Sequence, residues 1–305
     1  MPTLETSARI KLQNILFLTD FSEPSEAALP FAISIARKHG AKVHALHVAI
    51  PDDYIYAKTA AAGMLKEAEE ERVRGEMQRV ESQLAGVAYE TSLEWGAGVW
   101  PTVERSIRED AIDLVVLGTH GRTGAQKFML GSIAEEIFRR SPVPVLTIGP
   151  GVRGGAHNGA SFHRVLFATD FSPEAEAAAP YAFALAQQNQ ARLLLLLVLR
   201  RPERRSEEEN ENDCRLVELS VAEALHRMYE MVPQDAMFTT PPEAAVDFGE
   251  PAERILATAK QRGADLIVLG VRGAAGRMGA ATHLERATAH KVVAHATCPV
   301  LTVRG

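Results

Sequence analysis

Short aliphatic runs recur along the chain, each followed by a longer stretch in which apolar residues return every three or four positions. Apolar runs of four to eight residues bounded by turn signals read as buried strands, and the longer period reads as helix. The first half then has strands near 14–19, 42–49, 87–94, 112–118 and 144–148, with helices near 23–39, 60–85, 99–110 and 131–140. In the second half the strands fall near 163–169, 191–199, 236–247, 265–271 and 299–303. Aliphatic strands separated by helices imply βαβ crossovers and parallel sheets covered on both faces. The fold class is therefore α/β. Ser22 and Ser172 stand where an N-cap hydroxyl is wanted, and Pro173 occupies a first helical position.

The two halves are copies of one another. Asn14–Ser22 reads NILFLTDFS, and 150 positions later Arg164–Ser172 reads RVLFATDFS. Pro30, Ala36 and Val48 match Pro180, Ala186 and Val198 at the same displacement. DLVVLG from Asp113 returns as DLIVLG from Asp265, 152 positions on, and PVLTI from Pro144 returns as PVLTV from Pro299, 155 positions on. The growing displacement marks small insertions in the second copy. Gly149–Ser161, GPGVRGGAHNGAS, is glycine-rich and aperiodic, as a flexible linker is. Domains at 1–150 and 162–305, joined by a linker at 151–161, follow. The charged stretch Arg200–Asp213 has little to bury and reads as an exposed loop.

Chemistry concentrates after the fourth strand, where Gly118–Ser132 reads GTHGRTGAQKFMLGS. Gly118, Gly121, Gly131 and Ser132 form a G-x2-G-x9-G-S pattern running from strand end to helix start. Unpaired N–H groups at a helix start, with the positive end of its dipole, attract anions, and glycines let backbone approach them. Each of these glycines alone, Gly124 included, would serve a tight turn equally well. Together they favour a phosphate site. Arg122 and Lys127 are either phosphate partners or solvated loop charges, and His120 is either a nucleotide contact or a turn residue. If the strand order is 3-2-1-4-5, Asp20 and Gly118 flank the point where that order reverses, the usual ligand position in such sheets. A carboxylate there serves a ribose hydroxyl or a phosphate-bound cation through water; its alternative role is in the turn that caps the first helix.

Other chemistries lack their signatures. No G-x4-G-K-[ST] loop, dinucleotide fingerprint or G-x-S-x-G elbow is present. His283, His290 and His295 are spaced by seven and five, which does not bring three ligands onto one helical face. The net charge of −6 argues against a general nucleic-acid binder. Two cysteines, Cys214 and Cys298, suit a reducing cytoplasm and small buried positions better than a disulfide framework. The longest aliphatic run, Leu193–Leu199, is far short of the roughly 20 residues that cross a bilayer. The N-terminus carries no secretory apolar core. A cytoplasmic protein is the expectation.

TDFS after the first strand, DLVVLGTHG, the complete glycine pattern and the closing PVPVLTI resemble the universal stress protein family in its tandem form, across nearly the whole chain. The resemblance implies two α/β sandwiches of the adenine nucleotide alpha hydrolase-like kind, each with a five-stranded doubly wound sheet in the order 3-2-1-4-5. It implies ATP as ligand, with Mg2+, and AMP or ADP as alternatives. Position by position it assigns Thr19 and Asp20 to the nucleotide pocket and Val48 to adenine. Leu117 and Gly118 go to the ribose, and Gly121, Gly131, Ser132 and Ile133 to the phosphates. The family's dimerisation habit implies that Val143–Ile148 pairs with Pro299–Val303 as an intrachain pseudo-dimer, with a further homodimer in reach.

The second copy departs from the pattern. Gly270, Gly273, Asp170 and Val198 remain, but counting onward from Gly273 gives His283 and Leu284 where Gly and Ser belong. Aligning backward from Pro299 gives Arg286 and Ala287. One competent site per chain, in the first half, is the expectation. The leading function is an ATP-binding stress sensor or regulator with no catalytic residue assigned. A slow ATP-hydrolysing enzyme on the same scaffold and an interaction module without nucleotide are the alternatives. The related S-G-G-x-D-S, HIGH and KMSKS enzyme signatures are missing.

Overall fold

The computed structural model describes residues 10–50, 60–96, 98–119, 130–152, 161–200, 210–272 and 280–305, and of residues 60–66, 210–217 and 280–287 the backbone alone. The chain forms two compact units, Lys11–Ala160 and Ser161–Gly305. Most of the expected linker, 153–160, lies outside the described residues, as do 201–209 of the charged stretch.

The first unit runs β1 (Asn14–Leu18), α1 (Glu23–Glu26), α2 (Leu29–His39), β2 (Lys42–Ala49), α3 (Ala60–Gln83), β3 (Ala88–Trp95), α4 (Val99–Glu109), β4 (Leu114–Gly118), α5 (Ser132–Arg140) and β5 (Val145–Ile148). Its strands pair in parallel in the order β3-β2-β1-β4-β5. The second unit runs β6 (Arg164–Thr169), α6 (Pro173–Asn189), β7 (Arg192–Leu199), α7 (Asn210–Glu230), β8 (Glu243–Phe248), α8 (Pro251–Arg262), β9 (Leu266–Val271), α9 (Ala280–His295) and β10 (Val300–Arg304). Its order, β8-β7-β6-β9-β10, repeats the first. Both are the doubly wound sheets that the sequence predicts.

Central strands carry unbroken apolar runs because both of their faces are covered. Ile15, Phe17, Val115 and Val116 in the first sheet are fully buried, as are Leu166, Phe167, Ile267 and Val268 in the second. The edge strand β3 shows the two layers directly. Thr91 Oγ1 donates to Glu81 of α3 at 2.7 Å, while Glu94 pairs with Arg105 of α4 at 2.8 Å. Residues three apart on a strand point to opposite faces, so α3 and α4 cover opposite sides of the sheet.

Asp113 and Asp265, the first letters of the repeated DLxVLG, each brace the lower end of the sheet within their own unit. Asp113 Oδ2 accepts from the N–H groups of Gln13 and Asn14 at 2.7 and 3.0 Å. Asp265 accepts from those of His163 and Arg164 at 2.7 and 2.9 Å. Each carboxylate thereby fixes the entry into its unit's first strand.

Three boundaries differ from the sequence reading. The helix expected over 23–39 is two helices, broken at Ala27 and Ala28. Pro30 has no N–H for the Glu26 carbonyl, and Ser25 Oγ donates to the Ser22 carbonyl at 3.1 Å, a back-bond that bends helices. Its counterpart Ala175 makes no such bond, and α6 continues through Pro180. Strand β8 starts at Glu243 and not near 236, because Pro241 and Pro242 have no N–H for the ladder. The charged stretch is not all loop, since α7 starts at Asn210, where Asn, Glu and Asp suit a first turn. Ser22 and Ser172 do cap helices, accepting from Ser25 N–H at 3.4 Å and Ala175 N–H at 3.2 Å. Among the described residues, no helix is long and apolar enough to cross a membrane.

Candidate functional site

At the carboxyl ends of β1, β2 and β4 the first unit opens into a cleft of about 730 Å³. Thr19 and Asp20 follow β1, Val48 lies near the end of β2, Leu117 and Gly118 end β4, and Gly131, Ser132 and Ile133 open α5; all eight line this one cleft. The ninth assigned residue, Gly121, lies outside the described residues, together with His120, Arg122, Gly124 and Lys127. The cleft is apolar on the β2 side, where Leu46 and Val48 stand, and polar toward Thr19, Ser25 and Ser132.

Two helices begin at this cleft. Gly98 is the N-cap of α4 and Gly131 the N-cap of α5, both in extended backbone and neither with a side-chain cap. Val99 and Ser132, their first residues, line the cleft. Glycine has no side chain to cap these first turns, which leaves backbone donors and two positive dipole ends for an anion. This is the environment a phosphate group requires.

Gly118 has a packing reason of its own. A methyl group on it would come within 2.5 Å of the Pro24 carbonyl oxygen and 2.9 Å of the Ser25 nitrogen. The glycine lets the start of α1 press against the end of β4. Gly270 repeats this, its missing methyl aimed at the Glu174 carbonyl.

Asp20 takes part in the turn into α1 and also lines the cleft. Its Oδ1 accepts from Ser22 N–H at 3.0 Å and Ser22 Oγ–H at 2.5 Å, so it shapes the turn into α1 while lining the cleft. Phe21, between them, is held at φ +60°, as is Phe171 in the second unit. A bulky residue in the left-handed region is uncommon and needs support. Thr19 Oγ1 gives that support by accepting from Phe21 N–H at 3.0 Å.

His47 and Ser25 were not singled out by the sequence reading. His47 is buried, its Nδ1–H donates to the Thr19 carbonyl at 2.8 Å, and its ring lies against Phe21 at 4.4 Å between centroids. It fixes the floor beneath Thr19 and Asp20. The buried Ser25 hydroxyl lies 3.0 Å from Thr19 Oγ1. Their available signal was the contrast with the second copy, which has Leu197 and Ala175 at those positions.

The second unit has the corresponding cleft, about 880 Å³, with Asp170, Val198, Leu269 and Gly270 in matching places. Thr288 and Ala289 line it where Ile133 and Ala134 line the first. This match selects the backward alignment, so Arg286 and Ala287 stand opposite Gly131 and Ser132. Those two residues lie inside α9, which begins at Ala280, and not at a helix start.

The repeated sheet and its cleft define a tandem doubly wound α/β protein with a cleft at the carboxyl ends of the strands in each unit. The chain belongs to the universal stress protein family, which matches it twice, over residues 11–149 and 161–304. Universal stress protein MJ0531 of Methanocaldococcus jannaschii is 30% identical over 141 residues, covering 45% of this chain and 81% of the relative. MJ0577 of the same organism is 24% identical over 155 residues, covering 46% of this chain and 96% of the relative. The crystal structure of a universal stress protein from Archaeoglobus fulgidus is similar at a TM-score of 0.63 and 23% identity, covering 95% of this chain and 98% of that one. The fold is thus shared over nearly the full length.

Proposed function

We propose that the first unit binds an adenine nucleotide, with ATP the favoured ligand, and that occupancy regulates this protein in a stress response. The observation that carries the reading is the convergence of Thr19, Asp20, Val48, Leu117, Gly118, Gly131, Ser132 and Ile133 on one cleft. The base fits between Val48 and the neighbouring apolar wall, the ribose hydroxyls suit the Asp20 carboxylate, and the phosphates suit the uncapped starts of α4 and α5. Gly121 joins the phosphate group on the strength of the sequence pattern. Asp20 is the one carboxylate among the described lining residues, so Mg2+ would enter with the phosphates. A cytoplasmic location accords with the buried Cys298 thiol, whose pKa burial pushes up to about 12.

Isothermal titration of ATP into the wild type and Gly131→Lys, followed by a product assay, tests this reading. The wild type is expected to bind one ATP, and the lysine to weaken it at least about a hundredfold by filling the helix start. No ATP binding by the wild type sinks the proposal, and rapid turnover moves it to a nucleotide hydrolase.

A further inference from the structure

The second cleft keeps the wall that would receive a base and a sugar, and loses what would receive phosphate. Val198 and Leu196 line one side, Pro251 and Ile255 another, and Asp170 stands at the end of β6. Asp170 Oδ1 accepts from Ser172 N–H at 3.0 Å. Among the described residues its Oδ2 has no partner, and the residue is exposed. A carboxylate so placed accepts from paired hydroxyls.

Three differences then work against an anion. First, the backbone opposite the Gly131–Ser132 helix start is interior helix, because α9 begins at Ala280 and passes through Arg286 and Ala287. Interior N–H groups are spent on the helix ladder, so among the described residues the backbone at Arg286 and Ala287 offers the cleft no donor cradle. Second, Glu174 replaces Pro24 at the cleft rim, where its backbone abuts Gly270 and its neighbour Ala175 lines the opening. Glu174 Oε1 accepts from Arg272 Nε at 2.9 Å, and this bond holds its carboxyl below the usual range. The arginine just beyond β9 is thereby already paired. Third, Glu250 is the N-cap of α8 where Gly98 caps α4. Glu250 lies 3.9 Å from Lys291 Nζ, so at both places a carboxylate absent from the first unit already engages the nearby cation that a phosphate would need.

We infer that the cleft between β6, β7 and β9 is a second ligand site, selective for an uncharged nucleoside and closed to its phosphorylated forms by the Glu174–Arg272 pair and the earlier start of α9. The inference rests on the reading that the first cleft holds an adenine nucleotide, since the base and ribose positions are transferred from it. The full chain would then take two nucleosides but a single nucleotide. Glu174 sets the charge preference, and Asp170 binds the sugar.

Adenosine, AMP and ATP titrated into the full-length protein test it. Wild type is expected to bind two adenosines but one ATP, and Val48→Trp, whose indole fills the first cleft where the base would sit, to retain one adenosine site at which AMP binds at least about tenfold more weakly. Adding Glu174→Gln to Val48→Trp should bring AMP within about threefold of adenosine by releasing Arg272. Asp170→Asn keeps the Ser172 contact and should weaken adenosine there about tenfold. If wild type binds ATP yet Val48→Trp binds no adenosine, the inference fails and the proposed function stands. AMP binding Val48→Trp as tightly as adenosine does also overturns it. If neither ATP nor adenosine binds wild type, both readings fail.

Discussion

The two units share a backbone plan and a sheet order, yet their clefts face a ligand with different chemistry. In the first, two glycine-capped helices start at the opening; in the second, one of those helices begins well upstream and the other is capped by Glu250. The strands, the glycine that seats the first helix and the aspartate after the first strand are kept in both. Duplication thus separates two kinds of residue within one motif. Those that hold the fold persist in both copies, and those that the proposed function gives to an anion differ in one.

Gly118 and Gly270 test this division most severely. If both glycines are there for packing, Gly118→Ala and Gly270→Ala should each cost about 3 kcal/mol, since the added methyl meets backbone atoms that cannot rotate away. Urea denaturation of the two variants measures it. Equal losses place Gly118 with the fold; a stable Gly118→Ala that has lost ATP binding would return it to the ligand alone.

Next in size are the aspartates of the repeated DLxVLG. Asp113→Ala and Asp265→Ala each strip two backbone N–H groups of a charged acceptor. Each is expected to cost about 2 kcal/mol, with ligand binding unchanged because the carboxylates lie at the opposite ends of the strands from the clefts. A variant with wild-type denaturation and altered ATP affinity would break the comparison.

These aspartates also mark what a sequence discloses. The sheet order and repeat were legible because buried parallel strands must be continuous apolar runs, as in LVVL and LIVL. The glycine pattern led to Gly131 and Ser132 because helix-start chemistry is local. Asp113 passed unnoticed because its partners, Gln13 and Asn14, are about a hundred residues away in the chain. His47 was hidden for the same reason, its acceptor being a main-chain carbonyl on the neighbouring strand. The break between α1 and α2 depends on a serine hydroxyl turning back on its own helix, which periodicity does not encode. The two possible alignments of the second glycine pattern could be separated only when Thr288 and Ala289 were seen to line a cleft.

His47→Leu, which installs the residue of the second unit, should cost about 1 kcal/mol through the lost bond to the Thr19 carbonyl. It should also loosen Phe21, whose left-handed backbone leans on the imidazole. Thermal denaturation gives the first effect and ATP titration the second. Unchanged values in both would show that the first cleft needs no floor of this kind.

The smallest expected effect concerns the Glu174–Arg272 pair at the second rim. The hydrogen bond from Arg272, first among several influences, lowers the Glu174 pKa from its ordinary 4.5. A carboxyl depressed in the folded state adds stability above its unfolded value, and that stability is lost as pH falls through the folded value. The wild type should therefore lose an increment below about pH 4.5 that Arg272→Met does not lose. Arg272 is 34% exposed and Glu174 16%, so the increment should be under about 1 kcal/mol. Urea titrations of both proteins at neutral and acidic pH measure the difference.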